Sequence, residues 1–249
     1  MKTIAPSLLL SFPKVTGCFT TRSGGVSRTP YTDANLAFHV GDDPLHVLEN
    51  HIRLAQTIEY DHHSLIHMRQ IHSDHIVVVT ESLNFDTPPE CDALITNHLH
   101  TPLMVMSADC TPILLYDPVN HACAAIHAGR AGALKEILPK TVAAMHQNFG
   151  SSASAIHAIL GPSIHGCCYE INQTIAEETK DRGYSEALHV EGEKIFLDVN
   201  TVLTNQLKQI GVTNIEVIDE CTACHHDRYF SYRADKQLTG RLAGVIILR

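Results

Sequence analysis

The chain has 249 residues, 44% of them hydrophobic and 18% charged, a balance that excludes intrinsic disorder and fits a globular protein with a sizeable core. Its net charge of -9 comes without any basic cluster, which argues against nucleic acid or an anionic membrane as the main partner and favours a small molecule. Eight scattered cysteines, with Cys167 and Cys168 adjacent, exclude a disulfide scaffold and point to a reducing, cytoplasmic setting.

Met1 to Phe12 is mildly apolar, but Pro6 and Pro13 interrupt it and no small-residue cleavage site follows, so no signal peptide is expected. No run approaches the ~18 apolar residues of a membrane span. Val15 to Thr21 reads as a strand running into the glycine turn Arg22-Ser23-Gly24-Gly25. Pro44 to Ile58 reads as a helix that buries Leu45, Leu48, Ile52 and Ala55. His75 to Thr80 is β-branched and predicts a strand. From Ala93 to Gly129, four short apolar runs separated by turn residues form the densest part of the sheet.

Leu134, Ile137, Leu138, Val142, Met145 and Phe149 then lie on a helical stripe, which Pro139 should kink or split into two helices. Ala155 to Leu160 predicts a strand, Asn172 to Arg182 a polar helix, and Asn200 the cap of a helix through Ile210. Ile215 to Ile218 and Val245 to Leu248 are late strands. No linker divides the chain, which reads as one domain over residues 1–249. Strands and helices mix without regular alternation, so the expected fold class is α/β (α+β), with layered mixed β-sheets flanked by helices.

Ala108-Asp109-Cys110-Thr111-Pro112 and His127-Ala128-Gly129 place a thiol and an imidazole at neighbouring strand ends, as either a metal ligand pair or a nucleophile with its base. Upstream, Arg69-Gln70-Ile71-His72-Ser73 precedes a strand. If that turn faces the same end of the sheet, His72, Cys110 and His127 make three ligands with a fourth position open, the arrangement of a catalytic zinc. Spacing alone favours buried structural roles for all three, because three ligands distant in sequence are a weak signal. Eighteen histidines carry little weight by number, because many lie in polar stretches. Cys221-Thr222-Ala223-Cys224 is a zinc half-site by pattern, but no second C-x-x-C accompanies it, so a non-metal role is expected. Arg22-Ser23-Gly24-Gly25 and Gly161-Pro162-Ser163-Ile164-His165-Gly166 could offer backbone N–H groups to an anion, although neither matches a P-loop or dinucleotide pattern.

Taken in order, these segments resemble the laccase-domain family, the YfiH-like proteins once called multicopper polyphenol oxidases and grouped with purine nucleoside phosphorylases. Phe19-Thr20-Thr21-Arg22-Ser23-Gly24-Gly25, Asn35-Leu36, His39-Val40-Gly41-Asp42, Gln70-Ile71-His72-Ser73 and Cys91-Asp92-Ala93-Leu94 carry the first half of the likeness. The segments around Cys110 and His127, Cys168-Tyr169-Glu170-Ile171, Cys221-Thr222 and Phe230-Ser231-Tyr232-Arg233 complete it. The resemblance implies a YfiH-like fold and a metal, zinc rather than copper, on His72, Cys110 and His127. Two positions depart from the family's pattern: Arg130-Ala131 follows His127-Ala128-Gly129 where Trp-Arg is usual, and Ala234 follows Arg233 where a second arginine is usual.

The activities so implied are phosphorolysis of adenosine, inosine and methylthioadenosine, with phosphate as co-substrate, and deamination of adenosine. Cys110, His127 and Asp109 are the expected catalytic residues, Asp109 as proton carrier. Arg22, Asn35 and Arg233 are the expected substrate contacts, the two arginines for phosphate. Three rivals stand beside this reading: a cysteine hydrolase using Cys110 and His127, a peptidoglycan-precursor editing hydrolase, and a copper oxidase. The last needs several H-x-H pairs for a trinuclear cluster, and the chain has one, His98-Leu99-His100.

Overall fold

A computed structural model describes residues 1–80 and 82–249. In chain order the elements are β1 (Thr3–Ile4), β2 (Val15–Thr20), α1 (Pro44–Ile58), β3 (Ile76–Val78), β4 (Ala93–Thr96), β5 (Leu103–Ser107), β6 (Thr111–Asp117) and β7 (Ala122–Ala128). There follow α2 (Arg130–Leu134), α3 (Ile137–Phe149), β8 (His157–Leu160), β9 (Glu170–Ile171), α4 (Gln173–Asp181), β10 (Leu188–Glu191), β11 (Lys194–Leu197), α5 (Val199–Gln209), β12 (Asn214–Val217) and β13 (Leu242–Leu248).

The long apolar runs of β5, β6, β7 and β13 are buried along their whole length, as strands covered on both faces must be. They belong to two stacked sheets. Six strands in the order β12-β8-β6-β7-β4-β3 form one, and β1-β2-β13-β5 form the other. Leu94, Leu114 and Ile159 from the larger sheet pack against Phe19, Val105 and Ile246 from the smaller. The far face of the larger sheet is covered by α2, α3 and α5, and the far face of the smaller by α1. Both parallel and antiparallel pairs occur in the larger sheet, so the mixed, helix-flanked layering expected from the sequence is present. A small third sheet, β10-β11-β9, lay outside the sequence reading because its strands are short and polar.

Three local expectations change. The buried stripe of α1 is Val47, Asn50, His51, Leu54, Ala55 and Ile58, with Leu45 left 74% exposed. Asn50 faces inward because its amide bonds Ser27 Oγ and the carbonyls of Asp33 and Asn35, satisfying a buried loop. Asp198, not Asn200, caps α5, accepting from the amides of Asn200 and Thr201. Asn200 instead bonds Ser163 and Thr111 in the interior. The stripe around Pro139 is indeed two helices. The chain breaks at Glu136, whose φ is 63°, and Pro139 sits in the first turn of α3, where its missing N–H costs nothing.

Candidate active site

Adjacent antiparallel strands β6 and β7 pair Pro112 with His127, which sets Cys110, just ahead of β6, beside that imidazole. His72 comes from the turn before β3. Its segment is tied to β5 by Gln70, whose side-chain amide both donates to the Met106 carbonyl and accepts from the Met106 N–H, each at 2.8 Å. The ligand atoms of His72, Cys110 and His127 consequently lie within 4.8 Å of one another. The His72 and His127 rings meet edge to face, with centroids 4.8 Å apart. Two residues of this constellation adopt left-handed backbone, His72 at φ 57° and Asp109 at φ 92°, a conformation side-chain-bearing residues adopt only when the surroundings impose it.

Asp92, fully buried just before β4, orients the group, and sequence reasoning assigned it no role. Its carboxylate accepts His127 Nδ1–H at 2.8 Å, the amides of Ile71, His72 and Ser73, and the Ser73 hydroxyl. One side chain thus fixes the turn that carries His72 and the tautomer that leaves His127 Nε2 free, the arrangement by which carboxylates hold metal-ligating histidines. The only sequence signal was its place beside Cys91 in a family motif.

Burial opposes charge on Cys110, but the neighbouring imidazoles of His127 and His72 outweigh it and pull the thiol below its ordinary value. Burial likewise opposes charge on His127, which the thiolate and Asp92 push up. Asp92 is held at about 2 despite burial, by hydrogen bonds from His127 and Ser73. A thiolate and two imidazoles on one spot are a soft, mixed N/S donor set that fits zinc.

Gly129 closes the cradle. A Cβ there would lie 2.7 Å from Cys110 Sγ and 3.5 Å from His72 Cδ2, space the ligands need. Gly129→Ala is expected to weaken metal binding by about tenfold to a hundredfold, as overpacking of 1–3 kcal/mol implies. Competition with a metal buffer measures it, and an unchanged affinity would remove the glycine from the site.

The trio opens on a cavity of about 690 Å³, a size typical of small-molecule sites. Arg130, Tyr169, Arg233 and Arg241 line it, as does His39, whose imidazole is lowered by burial and by the charge of Arg241. Arg233 bonds the carbonyls of Cys168 and Glu170 and lies over Tyr169, and Arg241 bonds those of Thr239 and Gly240. The displaced arginine, Arg130, pairs with Glu178 at 3.0 Å.

Arg22 and Asn35, expected at the substrate, are outside the cavity lining. Arg22 clamps the carbonyls of Thr32 and His226 and stacks on Phe230, and Asn35 is buried against Ala37, Asp42 and Arg241. Arg241, to which sequence reasoning assigned no role, lines the cavity instead. Asp109 is at the cavity, and its two oxygens each accept a 2.7 Å bond, from Thr222 Oγ1 and the Arg233 amide. That geometry suits orienting Arg233 better than carrying a proton. Cys221 and Cys224, expected to lack a partner pair, meet Cys167 and Cys168.

Residues 16–249 match the family described as multi-copper polyphenol oxidoreductase laccase. A purine nucleoside phosphorylase of Corynebacterium glutamicum is 38% identical over 231 residues, 92% of this chain and 93% of that protein. One from Streptomyces coelicolor is 36% identical, covering 92% and 94%. Among solved structures, the Bacillus licheniformis hypothetical protein YfiH superposes with a TM-score of 0.93 at 30% identity, covering 98% and 97% of the two chains.

Proposed function

The chain belongs to the multi-copper polyphenol oxidoreductase laccase family, the YfiH-like proteins, and from that premise we propose that it is a zinc-dependent purine nucleoside phosphorylase that also deaminates adenosine. The observation that carries this reading is the His72–Cys110–His127 donor set at one end of a cavity whose wall bears Arg233 and Arg241. Zinc bound there would supply Lewis-acid polarisation of the substrate. Arg233 and Arg241 each spend only part of the five N–H donors of a guanidinium on carbonyls, which leaves donors for phosphate. Asp109, through the Arg233 amide, fixes where that cation sits. Tyr169 and Tyr232 give the base flat, partly apolar walls. Methylthioadenosine fits the same chemistry, because its changed 5′ substituent is remote from the glycosidic bond.

Copper-oxidase chemistry is less well supported. Among the described residues, only two clusters of three or more His, Cys, Asp or Glu bring their ligand atoms together, and neither is the histidine-rich group a trinuclear copper centre needs.

Incubation with adenosine, with and without phosphate, tests the proposal. Adenine released only with phosphate is expected from phosphorolysis, and inosine without phosphate from deamination; neither product would end the nucleoside reading.

One observation favours a second reading. Cys110, His127 and Asp92 are also arranged as nucleophile, base and orienting carboxylate, with the thiol drawn towards thiolate. A thiolate cannot both hold metal and attack, so the two readings separate cleanly. Chelation abolishes activity in the first, whereas in the second it leaves activity intact while thiol alkylation destroys it.

A further inference from the structure

Away from the cavity floor, the turn after β8 and the segment after β12 bring four cysteine sulfurs together. Cys167 Sγ lies 3.7 Å from Cys168 Sγ and 3.6 Å from Cys224 Sγ, and Cys168 and Cys224 are 3.4 Å apart. With Cys221, all four fall within 4.8 Å of one another. A tetrahedral zinc with bonds of about 2.3 Å separates its sulfurs by about 3.8 Å, so these spacings approach the edges of a tetrathiolate and far exceed the ~2.05 Å of a disulfide.

Polar contacts anchor both segments of the cluster. The His165 amide donates to Cys221 Sγ at 3.4 Å, and the Arg233 guanidinium bonds the Cys168 carbonyl at 3.2 Å. The backbone between the two segments is already in register: Ser163 and Cys221 form a parallel bridge, with the Thr222 amide on the Ser163 carbonyl at 3.0 Å.

We propose that Cys167, Cys168, Cys221 and Cys224 form a second metal site, a structural tetrathiolate that takes Zn²⁺ and pins the turn after β8 to the segment after β12. Four thiols lose their protons to solvent and form four Zn–S bonds, with no change of oxidation state. The staple has a target. Thr222, next to Cys221, holds Asp109, and Cys168 and Glu170 hold the Arg233 side chain, so the metal fixes the cavity wall that bears Tyr169 and Arg233. C-x-x-C spacing hid this site because its second pair is contiguous in sequence. Nothing in it depends on which substrate the cavity takes.

Metal analysis of the full chain, prepared under reducing conditions with zinc supplied, tests the site. About two zinc ions per chain are expected. Cys110→Ala should lose one and keep the other, and the double variant C167S/C224S should lose the other one while retaining the His72–Cys110–His127 ion. Should that double variant fail to fold, cadmium substitution of the unaltered chain decides, because four sulfurs in one site give a thiolate-to-cadmium ultraviolet band several times that of the single Cys110 thiolate. One ion per chain with all four cluster thiols open to alkylation in the folded protein, or a Cys168–Cys224 disulfide found by peptide mapping, would overturn the proposal.

Discussion

Cys110→Ala is expected to empty the His72–His127 centre of metal and to lower phosphorolysis by about 10³-fold or more, since a metal's charge stabilisation of several kcal/mol corresponds to that factor. Cys110 supplies the one anionic ligand of the three, and two neutral imidazoles alone hold zinc far less well. The fold should survive. Cys110 is only half-buried and lies in a turn whose position is set elsewhere, by the Asp109 carbonyl accepting the Ile164 amide and by Ser107 Oγ donating to the Cys110 carbonyl. Metal content and adenine release, measured on one preparation, check the prediction. Loss of activity with the His72–His127 metal retained would move Cys110 from ligand to nucleophile.

Asp92→Asn should cost about tenfold to a hundredfold in metal affinity, the usual consequence of removing a carboxylate behind a ligating histidine. An amide of the same shape would turn two N–H donors into a position surrounded by the donors of His127, Ile71, His72 and Ser73. At least one donor is then left facing another donor inside the protein, and the His127 ring loses its fixed tautomer. Stability should respond as well. The Asp92 carboxyl is held at about 2, below its ordinary 3.8, so its contribution is fully present above about pH 4 and is lost as pH falls towards 2. In the variant that portion of the acid transition should vanish, with lower stability at neutral pH. Denaturant titration across pH 2–5 on both proteins measures it, and superimposable profiles would show that Asp92 contributes nothing through its charge.

Both predictions turn on a residue pair that differs in how openly the sequence declares it. Cys110 and His127 sit at the ends of adjacent apolar runs, and a hairpin of two buried strands leaves little choice but to place those ends together. Asp92 immediately precedes the short strand β4, and nothing in its local pattern separates it from any other acid at a strand start. Its meaning arises only when β4 pairs with β7, which carries its carboxylate beneath His127.

The same division runs through the rest of the molecule. The sequence by itself determined the layered α/β class, the apolar strands from Leu103 to Ala128, an interruption of the helical stripe near Pro139 and the candidate trio, because each rests on periodicity, turn chemistry or an ordered set of motifs within short stretches. Tertiary structure alone decided which polar residues face inward and what they serve. Asn50 and Asn200 look like exposed or capping residues until loops close over them. Arg22 lies within a family motif and Arg241 outside those named, yet it is Arg241 that lines the cavity, while the carbonyls of Thr32 and His226 hold Arg22. Cys167 and Cys168 stand more than fifty residues from Cys221 and Cys224 and share no spacing rule with them. Long-range hydrogen-bond competition and strand pairing settle such matters, and neither leaves a periodic trace in the chain.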